Sequence, residues 1–271
     1  MVKQMKQEQI EKSIIKTYRK DIWRQFTKAI TEYNLIKDND KIAVCISGGK
    51  DSFLLAKCMQ EIKKHGKIKF ELEFIVMDPG YSRKNLEKIK ENAKMLGIPI
   101  KVKESKIFDI IKTMNVKSPC YMCARMRRGY LYNYAKELGC NKIALGHHFN
   151  DVIETILLGI LYNGETASML PKLKSKNFPG LELIRPLYLV KESAIINWLK
   201  FNELEFIDCA CPLKKEDSKR AEIKELINSM RKNNKFVENN IFKSAENINL
   251  NQVMGYIKNN KKTIYLEEYD K

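Results

Sequence analysis

The sequence predicts an α/β fold: a doubly wound, mostly parallel sheet of five strands, with a helical N-terminal arm and a helical C-terminal extension. Three observations carry this. Short apolar runs rich in β-branched residues alternate with longer amphipathic segments, the pattern of parallel strands joined by crossover helices. Glycine, aspartate and proline fall between the runs rather than inside them. The 271 residues are 44% hydrophobic, with no internal repeat or low-complexity linker, which suits one large α/β domain. The expected boundaries are 1–40 for the arm, 41–215 for the central domain and 216–271 for the extension.

In chain order, residues 3–34 read as one long helix. Ile10, Ile14, Tyr18, Ile22, Phe26 and Ile30 recur every four residues and make one apolar stripe. Lys41–Ile46 is a buried strand. The helix after it ends near His65-Gly66. Phe70–Met77 is the second strand, closed by Asp78-Pro79-Gly80. Asn85–Leu96 is a helix, Pro99–Lys103 a short strand, and Ile107–Met114 a helix. A cysteine- and arginine-rich segment, 118–128, leads into a helix over Arg127–Leu138. Lys142–Leu145 is the fourth strand, followed by a helix reaching Leu161. Leu181–Pro186 is the fifth strand, and Glu192–Phe201 and Asp217–Lys232 are helices. From about Gly255 the polar tail is expected to be irregular.

Lys and Arg number 50 against 33 Asp and Glu, a net charge of +17. That excess favours a polyanionic partner, most simply nucleic acid, although a lysine-rich composition alone would also produce it. No run approaches the ~18–20 apolar residues of a membrane span. Met1–Lys20 is charged throughout and lacks the apolar core of a signal peptide. A cytoplasmic protein without membrane contact is therefore expected. Seven cysteines in such a chain argue against a disulfide framework. Cys45, Cys58 and Cys140 fall in or beside regular elements and read as small buried residues.

Ser47-Gly48-Gly49-Lys50-Asp51-Ser52 lies between the first strand and a helix. Glycines let a backbone approach an anion, and the N–H groups of a helix start point at it. Lys50 adds a positive charge and Asp51 a candidate Mg²⁺ ligand. The spacing is neither that of a Walker A loop nor that of a dinucleotide fingerprint. An ordinary strand–turn–helix corner is the plainer reading, and the full hexapeptide favours nucleotide binding over it.

Gly146-His147-His148-Phe149-Asn150-Asp151 follows the fourth strand. Ligands on parallel sheets bind beyond the carboxyl ends of strands, so this loop and the glycine loop can face one cleft. Asp151 and Glu154 share one face of the next helix. Asp151 can cap that helix and also serve as a Mg²⁺ ligand or general acid–base. Adjacent histidines point apart, so His147 and His148 make a poor metal pair. A loop histidine against nucleotide or backbone is the better reading, with Gly146 and His147 as the candidates.

Cys120-x-x-Cys123 is a two-thiol clamp, and Cys209-x-Cys211 can close the same site. Such thiols suit zinc, an iron–sulfur cluster or a redox disulfide, and the spacing does not choose among them. Pro119 and Pro212 place both pairs in loops. Arg125, Arg127 and Arg128 crowd directly behind the clamp at an expected helix start, where cations oppose the dipole. That placement points to an anionic ligand, with RNA phosphate the natural class.

SGGKDS resembles the loop of PP-loop ATP pyrophosphatases. Taken with PCYMCARMRRGYLY, GHHFNDVIETILL, IRPL at 184–187 and a late cysteine motif, the chain resembles the tRNA 2-thiocytidine synthetases from about Lys41 to Arg220. The resemblance implies an adenine-nucleotide-hydrolase-like fold. It also implies an enzyme that adenylates a cytidine C2 oxygen in the tRNA anticodon loop with ATP and Mg²⁺, and then replaces that oxygen with sulfur. It implies a [4Fe–4S] cluster on three cysteines: Cys120, Cys123 and either Cys209 or Cys211. Ser47, Gly48, Gly49, Asp51 and Ser52, with Lys50 beside them, match the ATP loop, and Asp151 matches the second acidic position. The family often has another acid where this chain has Asn150. The implied partners are tRNA, and sulfide or a cysteine-desulfurase-type donor, with a homodimer as a family-level expectation. A PP-loop thiolase acting on a tRNA uridine or a small molecule is one alternative. A zinc-stabilised RNA-binding module is the other.

Overall fold

In the computed structural model, which describes residues 2–114, 119–207 and 219–269, β1 (Lys41–Ile46) lies inside a six-stranded sheet. Four of its six residues are buried, which explains a run of Ile, Ala and Val without polar alternation. β2 (Glu71–Asp78) and β4 (Lys142–Ala144) flank it, both parallel, with Ile42 opposite Leu72 on one side and Lys142 on the other. β3 (Ile100–Glu104) extends the sheet beyond β2, and β6 (Glu182–Ile184) extends it beyond β4. β5 (Lys172–Lys174) pairs antiparallel with β6. The order is therefore β3-β2-β1-β4-β6-β5. The chain first winds outward from β1 in one direction, then returns to its other side, so the switch point lies between β1 and β4.

The sheet has one strand more than the expected five. β5 is Lys-Leu-Lys, three residues with little apolar character, and pairing with β6 rather than local propensity makes it a strand. The helices between and after its strands are α3 (Lys50–His65), α4 (Arg83–Met95), α5 (Ile107–Thr113), α6 (Pro119–Glu137), α7 (Phe149–Leu158) and α8 (Glu192–Phe201).

The N-terminal arm is α1 (Val2–Lys12), π-helical turns at Ser13–Thr17 and Arg19–Trp23, and α2 (Arg24–Glu32). A strict four-residue stripe precesses by about 40° per step around a helix of 3.6 residues per turn. The wider π-turns take up that drift, so Ile10, Ile14, Ile22, Phe26 and Ile30 are all buried in one cluster while Tyr18 packs at its edge. Lys57 ties the arm to α3: its buried ammonium donates to Glu11 Oε1 at 2.7 Å and to Leu96 O at 3.0 Å. Trp198 Nε1 on α8 donates to Ser13 Oγ at 3.0 Å.

Two expectations need correction. The cysteine clamp is not in a loop, because α6 begins at Pro119; proline is favoured at a first helical position, where its missing N–H costs nothing. Arg125, Arg127 and Arg128 therefore sit in the second and third turns, past the reach of the N-terminal dipole. The tail is not irregular either. Gly255–Lys258 and Lys261–Ile264 form an antiparallel hairpin, β7 and β8. Asn259 and Asn260 take the turn with φ of 52° and 63°, the pair of left-handed residues that a two-residue hairpin demands.

The chain divides into two compact units. The first, residues 1–152 and 170–217, holds the sheet and its core. The second, residues 153–169 and 218–271, holds the end of α7, a π-turn at Gly159–Asn163, α9 (Lys219–Asn233), α10 (Val237–Ser244), the hairpin and α11 (Leu266–Tyr269). Within it, Glu154 pairs with Arg220 Nε at 3.3 Å. Among the described residues, no helix is long and apolar enough to cross a membrane.

Candidate active site

The glycine loop leaves β1 at Ile46 and becomes α3 at Lys50. Gly48 has φ +93°, and a Cβ built on it would stand 2.9 Å from Ile89 Cγ1, so the turn requires glycine twice over. Gly49 is the N-cap of α3 and supplies no side-chain cap, which leaves the first N–H groups of the helix available to an anion. The two serines fasten the turn from within. Ser52 Oγ donates to Gly49 O at 2.8 Å, and the Ser47 N–H donates to Ser52 Oγ at 3.2 Å. These features fit a phosphate cradle.

Lys50 Nζ lies 3.2 Å from Asp51 Oδ2 and 3.3 Å from Glu192 Oε1. Burial disfavours its charge, but the two carboxylates outweigh burial and hold the ammonium above its ordinary value. Glu192 opens α8, and its N–H donates to Asn150 Oδ1 at 3.0 Å. Asn150, which stands where the resembling family often has an acid, thus caps α8, and the carboxylate beside the loop comes from Glu192. Nothing in the sequence tied Glu192 to Lys50, which lies 142 residues earlier.

The β4 loop meets the glycine loop at the switch point. A Cβ on Gly146 would stand 3.2 Å from Asp51 C and Ser52 N, so backbone runs against backbone there. His148 and Asp151 cap α7 reciprocally. The His148 N–H donates to Asp151 Oδ2 at 2.9 Å, and the Asp151 N–H donates to His148 Nδ1 at 3.4 Å. With Nδ1 accepting, the neutral ring carries its proton on Nε2, and that atom faces Asp51 Oδ1 at 3.8 Å. The buried histidine between the two predicted acids is thus His148, a place distinct from the one beside the nucleotide expected for His147. A cavity of about 360 Å³ opens on Gly49, Lys50 and Asp51, with Leu199, Leu204, Phe206 and Ile207 as its apolar wall.

Cys123 is buried in a cluster with Met77, Ile107, Phe108 and Ile111, beside the carboxyl end of β2. Position 120 precedes it by one helical turn. Cys209 and Cys211 lie outside the described residues, as does any meeting of the four sulfurs. Among the described residues, no three His, Cys, Asp or Glu side chains gather as a metal site. The donor chemistry at Cys123 nonetheless fits a soft thiophilic centre with an apolar wall. Arg127 Nη2 donates to the Tyr81 hydroxyl at 3.1 Å, in the loop after β2, while Arg125 and Arg128 are exposed. Arg185 of the IRPL segment is buried at the end of β6, and burial pulls its guanidinium below its ordinary value.

A switch-point glycine turn, an uncapped helix N-terminus and two acids on either side of a buried histidine define a nucleotide-binding α/β protein. Residues 18–246 match the PP-loop domain family, and the chain belongs to that family. It is 35% identical over 249 residues to tRNA-cytidine(32) 2-sulfurtransferase 2 of Francisella tularensis subsp. holarctica, spanning 90% of this chain and 92% of that one. It is 36% identical over 225 residues to the tRNA-cytidine(32) 2-sulfurtransferase of Geotalea uraniireducens, spanning 82% and 88%. In fold it is similar to the U34-tRNA thiolase NcsA from Methanococcus maripaludis, solved with its [4Fe-4S] cluster. That likeness has a TM-score of 0.65 at 24% identity and covers 82% of this chain and 76% of the thiolase.

Proposed function

We propose that the protein is an ATP-dependent tRNA sulfurtransferase that converts a cytidine of tRNA, at position 32 as in its relatives, to 2-thiocytidine. One observation carries this reading: the β1 and β4 loops meet through His148 at the switch point, in a chain that aligns with tRNA-cytidine sulfurtransferases over nine-tenths of its length. In chemical terms, the C2 oxygen of cytidine attacks the α-phosphorus of ATP and pyrophosphate leaves. Sulfide then bonds to C2, and the oxygen departs with AMP.

Ser47, Gly48, Gly49 and Ser52 shape the turn that receives the phosphates, and Lys50 carries the countercharge. Asp51 would hold Mg²⁺ with phosphate oxygens completing its shell, and Asp151 sets the histidine against Asp51. Gly146 and His147 border the nucleotide. Cys120, Cys123 and one of Cys209 and Cys211 would hold a [4Fe–4S] cluster, whose open iron supplies a place for sulfide when bound. Arg125, Arg127 and Arg128 face the tRNA, and sulfur arrives as sulfide or from a cysteine desulfurase. In this reading residues 41–215 do the chemistry, between the arm of 1–40 and the extension of 216–271.

The decisive experiment is mass spectrometry of tRNA nucleosides from a deletion strain, complemented with the wild-type chain or with Asp51→Ala. Loss of 2-thiocytidine, restored by the wild type alone, is expected. Loss of a thiouridine instead would replace the cytidine reading, and an unchanged nucleoside profile would end it. Protein isolated without oxygen should be brown and hold iron and sulfide. A colourless protein with stoichiometric zinc would remove the cluster.

A further inference from the structure

The arm carries a second stripe that its packing does not use. Lys12, Lys16, Lys20, Arg24 and Lys28 recur every four residues, displaced by two from the buried Ile10–Ile30 stripe and so on the opposite face of the same helix. The outer two are neutralised: Lys12 pairs with Glu8 at 3.8 Å and Lys28 with Glu32 at 3.5 Å. Among the described residues, Lys16, Arg19, Lys20 and Arg24 make no ion pair, and all four are exposed. They line a concave surface of about 640 Å³ together with Thr17, Trp23 and Thr27, and Asp21 is not part of that lining.

Like charges four residues apart weaken a helix, so the cluster works against the arm's own stability. A lysine-rich composition does not account for it. Lysines outnumber arginines 41 to nine in this chain, yet two of the nine stand in this one groove. Trp23, half-buried against Phe26, gives the groove a fixed aromatic wall between the cations. Unpaired guanidinium and ammonium groups around an aromatic ring, with hydroxyls at either end, match the phosphates and bases of RNA. Lys16 to Arg24 spans about 12 Å along the helix, enough for successive phosphates of one strand.

We propose that Lys16, Arg19, Lys20 and Arg24 bind the phosphate backbone of the tRNA substrate, so that the arm is an RNA-docking element separate from the arginines of α6. This rests on the sulfurtransferase reading. The test is filter binding of an in vitro transcribed tRNA with cytidine at position 32, across a series of KCl concentrations. It compares the wild-type chain, the triple variant Lys16→Ala/Lys20→Ala/Arg24→Ala and the charge-keeping variant Lys16→Arg/Lys20→Arg/Arg24→Lys. The alanine variant should bind about ten- to a hundredfold more weakly and lower the slope of log K against log salt by roughly two to three. The charge-keeping variant should match the wild type in affinity and slope, and the alanine variant, freed of like charges four residues apart, should melt no lower than the wild type. An alanine variant with wild-type affinity and slope overturns the docking element and leaves the function intact. A wild-type chain that holds no tRNA removes both. Loss of polyglutamate binding with tRNA binding unchanged would assign the groove to an acidic protein and overturn the proposal.

Discussion

His148 Nε2 stands 3.8 Å from Asp51 Oδ1, so a side chain rooted on the β4 loop reaches the acid of the β1 loop. The same ring is fixed by its reciprocal cap with Asp151, which makes His148 the link between two loops that the chain sequence separates by about 100 residues. His148→Ala should free Asp51 to drift, and a misplacement of about 1 Å lowers turnover by about a hundredfold. Half-lost capping should also cost about 1 kcal/mol of stability. Single-turnover thiolation and a denaturant titration measure the two effects, and an unchanged turnover would show that His148 does no more than cap α7.

Gly48 has two separate reasons to be glycine, and they can be separated. Gly48→Ala should destabilise the chain by about 1–3 kcal/mol through backbone strain alone, with the 2.9 Å approach to Ile89 added to it. Trimming the neighbour to alanine, which removes both Cγ1 and Cδ1, relieves only the approach, and Gly48→Ala/Ile89→Ala is compared with Ile89→Ala alone. Full rescue by that double variant, read in the denaturant midpoint, would contradict the strain.

The buried pair at the base of the sheet should make the chain acid-sensitive. Lys142 Nζ lies 2.9 Å from Asp40 Oδ2, and both side chains are almost fully buried. Burial raises the Asp40 carboxyl, but Lys142, Asn141 and the Lys37 N–H outweigh it, so the folded value lies below 3.8. A depressed carboxylate stabilises the fold above its unfolded value and loses that contribution as pH falls through the folded one. Wild-type stability should therefore fall below about pH 4 more steeply than that of Asp40→Asn. Lys142→Met, which strands the carboxylate, should cost about 3–5 kcal/mol at neutral pH. Parallel pH dependences for wild type and Asp40→Asn would refute the pairing.

Three cysteines should be chemically silent. Burial pushes the thiols of Cys45 and Cys58 up, and pushes Cys140 up to about 11. All three stay protonated at pH 8, and a thiol is a poor nucleophile. Iodoacetamide should label them only after denaturation. Peptide mapping of native chain that finds Cys58 modified would disprove its burial.

The central sheet was legible because β1, β2 and β4 carry apolar runs and β3 alternates Ile-Lys-Val-Lys, each beside turn signals, and period and punctuation are local properties. What escaped was non-local or atypical. β5 is a strand only because β6 lies beside it. The α6 start reads as a loop in sequence because Pro119 breaks helices everywhere except at their first turn. The hairpin hid behind Asn259-Asn260, a weaker turn signal than Asn-Gly. At the site, the glycine loop and Asp151 were visible as motifs. Glu192 and His148 were not, since their importance depends on which loop faces which across the switch point.

β1 hydrogen-bonds to β4, and the Lys41 N–H donates to Asn141 Oδ1 at 2.8 Å across 100 residues of chain. During synthesis at about 5–20 residues per second, Lys-Ile-Ala-Val-Cys-Ile therefore waits roughly 5–20 s with one edge open. That segment is short, apolar, β-branched and free of proline, the composition that pairs with its own kind. Yield of this chain should thus depend on translation speed and temperature during the passage from residue 46 to residue 144, before any nucleotide can bind.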